Sequence, residues 1–343
     1  MAADDPIPDS GTSLSRRQFL TATSAGVALA GVTACASQEM SGKSAAAPVA
    51  PFSSVRDYVA AMEARGNVMR IGRVDQDAFE GTALMYRIVD RFGVYRAPIV
   101  IFDEVKIDGE WLAGPVIANQ LRHVEAEALL FGLEPVPYDD SATWHVARAY
   151  LDDMLAASGG EYPTIEPVEI EASAALCKEV VLRDDEIDIR KFPFFKNNPG
   201  DSGRFLNTAS VFTSDPEMGL NIGTYRCEIK GPRHIAVGSG EGQSGYTMLM
   251  RAKERGELSA PITLIVGQEP MIWLVSGARI PARRGTRPIN ELATAGGLRG
   301  SAIEVVKCDT NEFRVPAATE MVIEGEVSLE SFESNGPYGE GSG

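Results

Sequence analysis

Apolar positions begin to recur with a regular period at Ser53. Val55, Tyr58, Val59 and Met62 fall on one face of a helix that Ser53 or Ser54 can cap, that runs to about Arg65, and that Gly66 ends. Val68–Ile71 reads as a short strand, Thr82–Phe92 as a second helix and Ala97–Phe102 as a buried strand. Two more helical stretches follow, around His123–Phe131 and Ser141–Ala157, so the pattern predicts an α/β domain that closes near Gly160. From Cys177 onward the runs become short and β-rich: Val180–Leu182, Thr208–Thr213, Tyr225–Ile229, Ile262–Val266, Ile272–Val275, Ala302–Val306 and Met321–Val327. Turn residues separate them, which predicts a barrel-like or sandwich sheet. Trp111, Trp144 and Trp273 are expected in the core.

The first 36 residues carry a different pattern. Ser15-Arg16-Arg17-Gln18-Phe19-Leu20 fits a twin-arginine signal, and the stretch from Thr21 to Ala34 is apolar but too short for a membrane span. Val32-Thr33-Ala34-Cys35 fits a lipobox, which would make Cys35 a lipid anchor; Ala34-Cys35-Ala36 fits ordinary signal cleavage equally in form. The expectation is export by the twin-arginine pathway to the periplasm, with the lipoprotein form favoured. Residues 37–52, rich in Ser, Gly, Ala and Pro, read as a tether.

Composition narrows the function classes. The chain has 343 residues, 44% of them hydrophobic and 23% charged, as in an ordinary globular protein. A formal charge of -16 argues against a nucleic-acid partner, because a phosphate backbone needs a basic face. The three histidines (His123, His145, His234) are scattered, which argues against a His-rich zinc site, and the four cysteines contain no CxxC. Cys177, Cys227 and Cys308 are expected to be small buried hydrophobes. No G-x-S-x-G nucleophile elbow is present, and Gly238–Gly242 lacks the context of a phosphate loop.

Five blocks stand in line along the second half: Gly200–Phe205, Asn221-Ile222-Gly223-Thr224-Tyr225-Arg226, Asn290–Gly300, Val306–Thr310 and Gly336-Pro337-Tyr338-Gly339-Glu340. In this order and spacing they resemble the UbiD-like decarboxylases. The resemblance implies an α/β N-terminal domain (53–165) followed by a split β-barrel, flavin-reductase-like domain (166–343) that binds prenylated FMN. It further implies a C-terminal oligomerisation region absent from this chain, and a homo-oligomer when that region is present. It implies a divalent metal, Mn2+ or Mg2+, with K+ nearby, and a flavin prenyltransferase as cofactor supplier.

Residue by residue, the resemblance makes Asn221 and Glu291 metal ligands, and hard oxygen donors suit such a cation. Asn221, Ile222, Gly223, Thr224, Arg226 and Gln243 are the implied cofactor contacts. Arg226 would grip the substrate carboxylate, which a guanidinium does with two parallel hydrogen bonds, and Glu340 would be the proton donor. The implied reaction is the reversible, non-oxidative decarboxylation of an aromatic or α,β-unsaturated acid through a covalent adduct with the cofactor.

Two positions depart from the family pattern. Ser244 stands where relatives carry a histidine ligand, and Asn335 stands where they carry a glutamate. Serine is a weak neutral ligand, and asparagine cannot shuttle a proton at neutral pH. If the segment were a strand, Glu333 would share the face of Asn335 and compensate for it. An inert, exported flavin- or ligand-binding relative of the same family is the alternative that these departures raise.

Overall fold

The hydroxyl of Ser54 accepts the N–H of Asp57 at 3.1 Å and so starts α1 (Val55–Ala64), whose Val55, Tyr58, Val59, Ala61 and Met62 are buried. Gly66, at φ +74, ends the helical turn beyond Arg65 in a conformation that disfavours a side chain. The computed structural model describes residues 47–207, 209–278, 280 and 290–339. The twin-arginine segment, Cys35, most of the tether and Glu340 lie outside the described residues.

Next come β1 (Val68–Asp75), α2 (Glu80–Phe92) and β2 (Ile99–Ile107). β1 and β2 pair in parallel, as a strand–helix–strand crossover requires. β3 (Glu110–Ala118) then returns antiparallel to β2, with an irregularity between Phe102 and Glu104. Gly114 sits there because a Cβ would collide with the main-chain oxygen of Phe102. Helices α3 (Glu125–Leu130) and α4 (Asp140–Ala157) complete this half.

The second half contains β4 (Val168–Glu169), β5 (Phe205–Leu206), β6 (Ser210–Asp215), β7 (Gly219–Thr224), β8 (Arg226–Gly231) and β9 (His234–Gly238). After them come α5 (Ser244–Glu254), β10 (Ser259–Val266), α6 (Pro270–Gly277), α7 (Glu291–Arg299), β11 (Glu304–Lys307), β12 (Arg314–Pro316) and β13 (Met321–Ser328). Hydrogen bonding orders them as a four-stranded sheet β13-β10-β6-β7 and two three-stranded sheets, β5-β8-β9 and β12-β11-β4. The fold is therefore a mixture of α and β, with no sheet closed on itself among the described residues. Leu206 and Cys227 from one sheet pack with Val211, Ile262 and Leu264 from the other, so the two larger sheets share an apolar interior.

The largest core joins both halves of the chain. Phe52, Tyr58, Met62, Ile99 and Leu130 pack in one cluster with Phe212, Ile222, Ile265, Leu292 and Val305. Residues 46–343 form one compact unit.

Three sequence expectations need correction. Val180–Leu182 is not a strand: it lies in irregular chain between short 3-10 turns, and all three side chains are exposed. Ile272–Val275 belongs to α6, because Pro270 at the first helical turn favours helix entry with Glu269 at the N-cap position. The tryptophans are not core residues. Trp111 is 46% exposed beneath Arg73, Trp144 is 51% exposed, and Trp273 lines a cavity. Cys227 and Cys308 are buried, whereas Cys177 is only partly so.

Candidate functional site

β7 is the edge strand of its sheet, so half of its backbone groups face away from β6. The site is built along that edge, where α5 and α7 both begin. Alternation along β7 sends Ile222 into the main core, where it is 2% exposed, and Asn221 to the other face. Asn221 is buried too. Its Nδ2 donates to Thr213 Oγ1 at 3.2 Å and to the Tyr225 hydroxyl at 3.4 Å, which turns Oδ1 the other way.

Tyr225 is the organiser that sequence reasoning missed. Its hydroxyl accepts the backbone N–H of Gly245 at 3.2 Å in addition to the Asn221 amide. It thereby ties the strand to the first turn of α5, where Ser244 is the first helical residue. Gly223 and Gly245 give the phenol ring its room: a Cβ on Gly245 would stand 2.7 Å from the hydroxyl, and one on Gly223 closer still. The period-2 spacing of Asn221, Gly223 and Tyr225 was the available signal.

Glu291 reaches the same edge from α7, whose N-cap Asn290 accepts the N–H groups of Leu292 and Ala293. Burial raises the Glu291 carboxyl to about 7, against the pull of the nearby backbone N–H groups of Glu291 itself and Ile222. Its Oε2 is buried without a hydrogen-bond partner. Leaving such an oxygen unpaired costs about 1–3 kcal/mol or more, so the position suits a group that brings positive charge. α7 is set by close backbone packing. A Cβ on Gly297 would run into the main-chain oxygen of Pro163, and Ile165 N donates to Ala293 O at 2.9 Å.

The remaining expected residues divide. Thr224 joins a buried hydroxyl chain, 3.0 Å from Ser276 Oγ, which lies 2.7 Å from Ser210 Oγ. Gln243 directs its side-chain oxygen at Gly240 N, 2.6 Å away, and so closes the turn before α5. Arg226 opens β8, with its guanidinium carbon 5.6 Å from the centre of the Tyr338 ring. Tyr338 also borders a cavity of about 430 Å³ lined by Phe194, Phe205, Asn207 and Trp273.

Asn335 does not share a strand face with Glu333. The segment 331–339 is not a strand, and Glu333 instead pairs with His234 at 2.8 Å. Asn335 donates to the main-chain oxygens of Ala236 and Arg226, while its own Oδ1 is buried and unpartnered.

Asn221, Ser244 and Glu291 offer an amide oxygen, a hydroxyl and one carboxylate. Among the described residues no group of three or more His, Cys, Asp or Glu side chains is arranged to hold a metal. The oxygen-only donors and the unpartnered Glu291 oxygen nevertheless fit a hard divalent cation.

Comparison with known proteins agrees with this architecture. Residues 168–343 match the UbiD family, described as the 3-octaprenyl-4-hydroxybenzoate carboxy-lyase Rift-related domain, and the chain belongs to that family. The vanillic acid decarboxylase of Sedimentibacter hydroxybenzoicus in its closed form superposes with a TM-score of 0.70 at 24% identity. That match covers 84% of this chain and 58% of the other. An evolved dimeric form of the UbiD-class enzyme HmfF from Pelotomaculum thermopropionicum, in complex with prenylated FMN, gives 0.68 at 24% identity over 84% of this chain and 60% of its own. The protein sll0936 of Synechocystis is 29% identical over 168 residues, which are 49% of this chain and 32% of that protein. The chain thus spans less than two thirds of the relatives it matches.

Proposed function

We propose that this protein is a non-oxidative, reversible decarboxylase of an aromatic or α,β-unsaturated carboxylic acid that works with prenylated FMN. The observation that carries the reading is the arrangement around β7, where Tyr225 ties Asn221 to the first turn of α5 and Glu291 lies near the backbone of Ile222, with Arg226 opening the next strand. The packed pair of sheets would serve as the split barrel that holds the cofactor.

When bound, prenylated FMN would supply the electron sink for loss of carbon dioxide. The protein's own part is positional and electrostatic. Asn221, Ser244 and Glu291 would hold Mn2+ or Mg2+, whose charge would favour binding of an anionic cofactor. Ile222, Gly223, Thr224 and Gln243 would line the cofactor, and K+ would lie near by. Arg226 would bind the substrate carboxylate, and Glu340 would return a proton to carbon. Export through the twin-arginine pathway, with or without lipidation at Cys35, and a homo-oligomeric form complete the proposal.

Asn335 favours a second reading. Its amide is used on main-chain oxygens and cannot relay a proton, as expected of an inert ligand-binding relative. Co-expression with a flavin prenyltransferase, followed by native mass spectrometry and a screen of aromatic and acrylic acids, separates the two. A bound prenylated FMN with release of carbon dioxide supports the decarboxylase. Cofactor bound with no turnover of any acid supports the inert relative, and a folded apo protein ends both cofactor readings.

A further inference from the structure

Two buried acids that the proposed chemistry does not use both point at the segment carrying Tyr338. Asp201 is 4% exposed and Glu228 2% exposed. Asp201 accepts the N–H of Gly339 on Oδ1 and that of Asn198 on Oδ2, each at 2.8 Å. Glu228 accepts the N–H of Gly336 at 2.8 Å, while Lys230 sits 2.8 Å from the same carboxylate. Burial alone would raise the Glu228 carboxyl, but Lys230, Ser202 and Gly336 together hold it below its ordinary value. Between the two anchored glycines, the oxygen of Pro337 accepts the N–H of Ser202 at 2.8 Å and its hydroxyl at 3.2 Å.

The anchors fall on Gly336, Pro337 and Gly339, which leaves Tyr338 no freedom to swing away. Its ring lies 4.7 Å from that of Phe205 and 5.6 Å from the Arg226 guanidinium carbon, and its hydroxyl accepts Asn197 Nδ2 at 3.0 Å. A guanidinium over an aromatic face is held by the ring quadrupole. Gly336 adopts φ +112, and a Cβ on Gly339 would stand 2.8 Å from Asn198 Nδ2, so the path of this segment depends on both glycines.

We propose that Asp201 and Glu228 are positioning residues for Arg226: they fix residues 336–339 so that Tyr338 covers the guanidinium and sets its plane for a carboxylate. The substrate half of this inference rests on the decarboxylase reading; the shielding of Arg226 does not. Asp201 uses both oxygens on N–H donors, so an amide there turns one donor against another. Glu228 bonds Gly336 through one oxygen, so Glu228→Gln is the milder change.

The test uses the full chain carrying Asp201→Asn, Glu228→Gln or Tyr338→Ala, with folding checked by circular dichroism. Phenylglyoxal labelling of Arg226 is read residue by residue by mass spectrometry, with the exposed Arg233 as internal reference. The expected result is a several-fold rise in Arg226 labelling in Asp201→Asn and Tyr338→Ala, a smaller rise in Glu228→Gln, and no change at Arg233. For any acid that is turned over, KM should rise more than kcat falls. Wild-type labelling of Arg226 in a folded Asp201→Asn protein overturns the proposal. If that variant does not fold, wild-type labelling in Tyr338→Ala overturns it equally. A wild-type protein that turns over no acid, but whose Arg226 labelling responds as described, removes the decarboxylase reading and leaves the clamp in place.

Discussion

Asn335 donates its side-chain amide to the main-chain oxygen of Ala236 at 2.6 Å, stitching the segment after β13 to the edge strand β9. A second donation reaches Arg226 O at 3.4 Å. Asn335→Asp would replace that donor with an oxygen facing two carbonyl oxygens. The expected cost is about 1–3 kcal/mol, the desolvation penalty of acceptors left unpaired, read as a shift of the urea midpoint without a change in slope. An unchanged midpoint would show that Asn335 is not held as described.

Tyr225→Phe keeps the ring between Gly223 and Gly245 but removes the oxygen that joins Asn221 to Gly245. Groups that orient metal ligands typically control affinity by about 10–100-fold. Manganese affinity, measured by calorimetry on the cofactor-loaded protein, should fall by about that much, with stability lower by about 1–3 kcal/mol for the buried Gly245 N–H left without its acceptor. Equal affinity in the two proteins would remove Asn221 from the metal site.

Glu269 is fully buried at the start of α6, 3.4 Å from Arg299. Burial raises its carboxyl to about 7 against the pull of that arginine. Between its ordinary value and about 7 the folded state therefore holds the proton more tightly than the unfolded state. Stability should fall as pH rises through that window, by up to roughly 3 kcal/mol at full effect. Denaturation at pH 5 and pH 8 measures the slope, and Glu269→Gln should remove its share and leave that of Glu291, which burial also raises to about 7. A slope that the substitution leaves undiminished would assign it to Glu291 and other groups.

Gly297→Ala places a methyl group against the main-chain oxygen of Pro163. Either α7 or residues 163–165 must move, at a cost of about 1–3 kcal/mol. Glu291 rides on α7, so cofactor-dependent metal binding should weaken together with the urea midpoint. Loss of stability with intact metal binding would show that the helix start stays in register.

Much of the scaffold was legible because periodicity reports burial. α1, α2, α4, β1, β2, β10 and β13 fall close to where apolar spacing puts them. Val180–Leu182 was misread because an apolar run says nothing about whether a partner strand exists. β9 and α5 escaped because Gly and Ser surround them and their apolar faces are short. In the candidate site the sequence named Asn221, Arg226 and Glu291, and the structure brings Asn221 and Glu291 to one edge. Asp201 and Glu228 were not legible because they accept the backbone N–H groups of Gly339 and Gly336, more than a hundred residues away, which no local motif records; for Tyr225 only the spacing with Asn221 and Gly223 hinted at its role.

The main core draws on residues from Phe52 to Ala317. A nascent chain leaving the ribosome therefore cannot finish the floor beneath Ile222 and Leu292 until nearly all of the described chain has emerged. The early strand–helix–strand unit can form by itself, but it must keep its apolar underside uncovered while it waits. Synthesis of this protein thus includes an interval in which that underside is open to chaperones or to other unfinished copies.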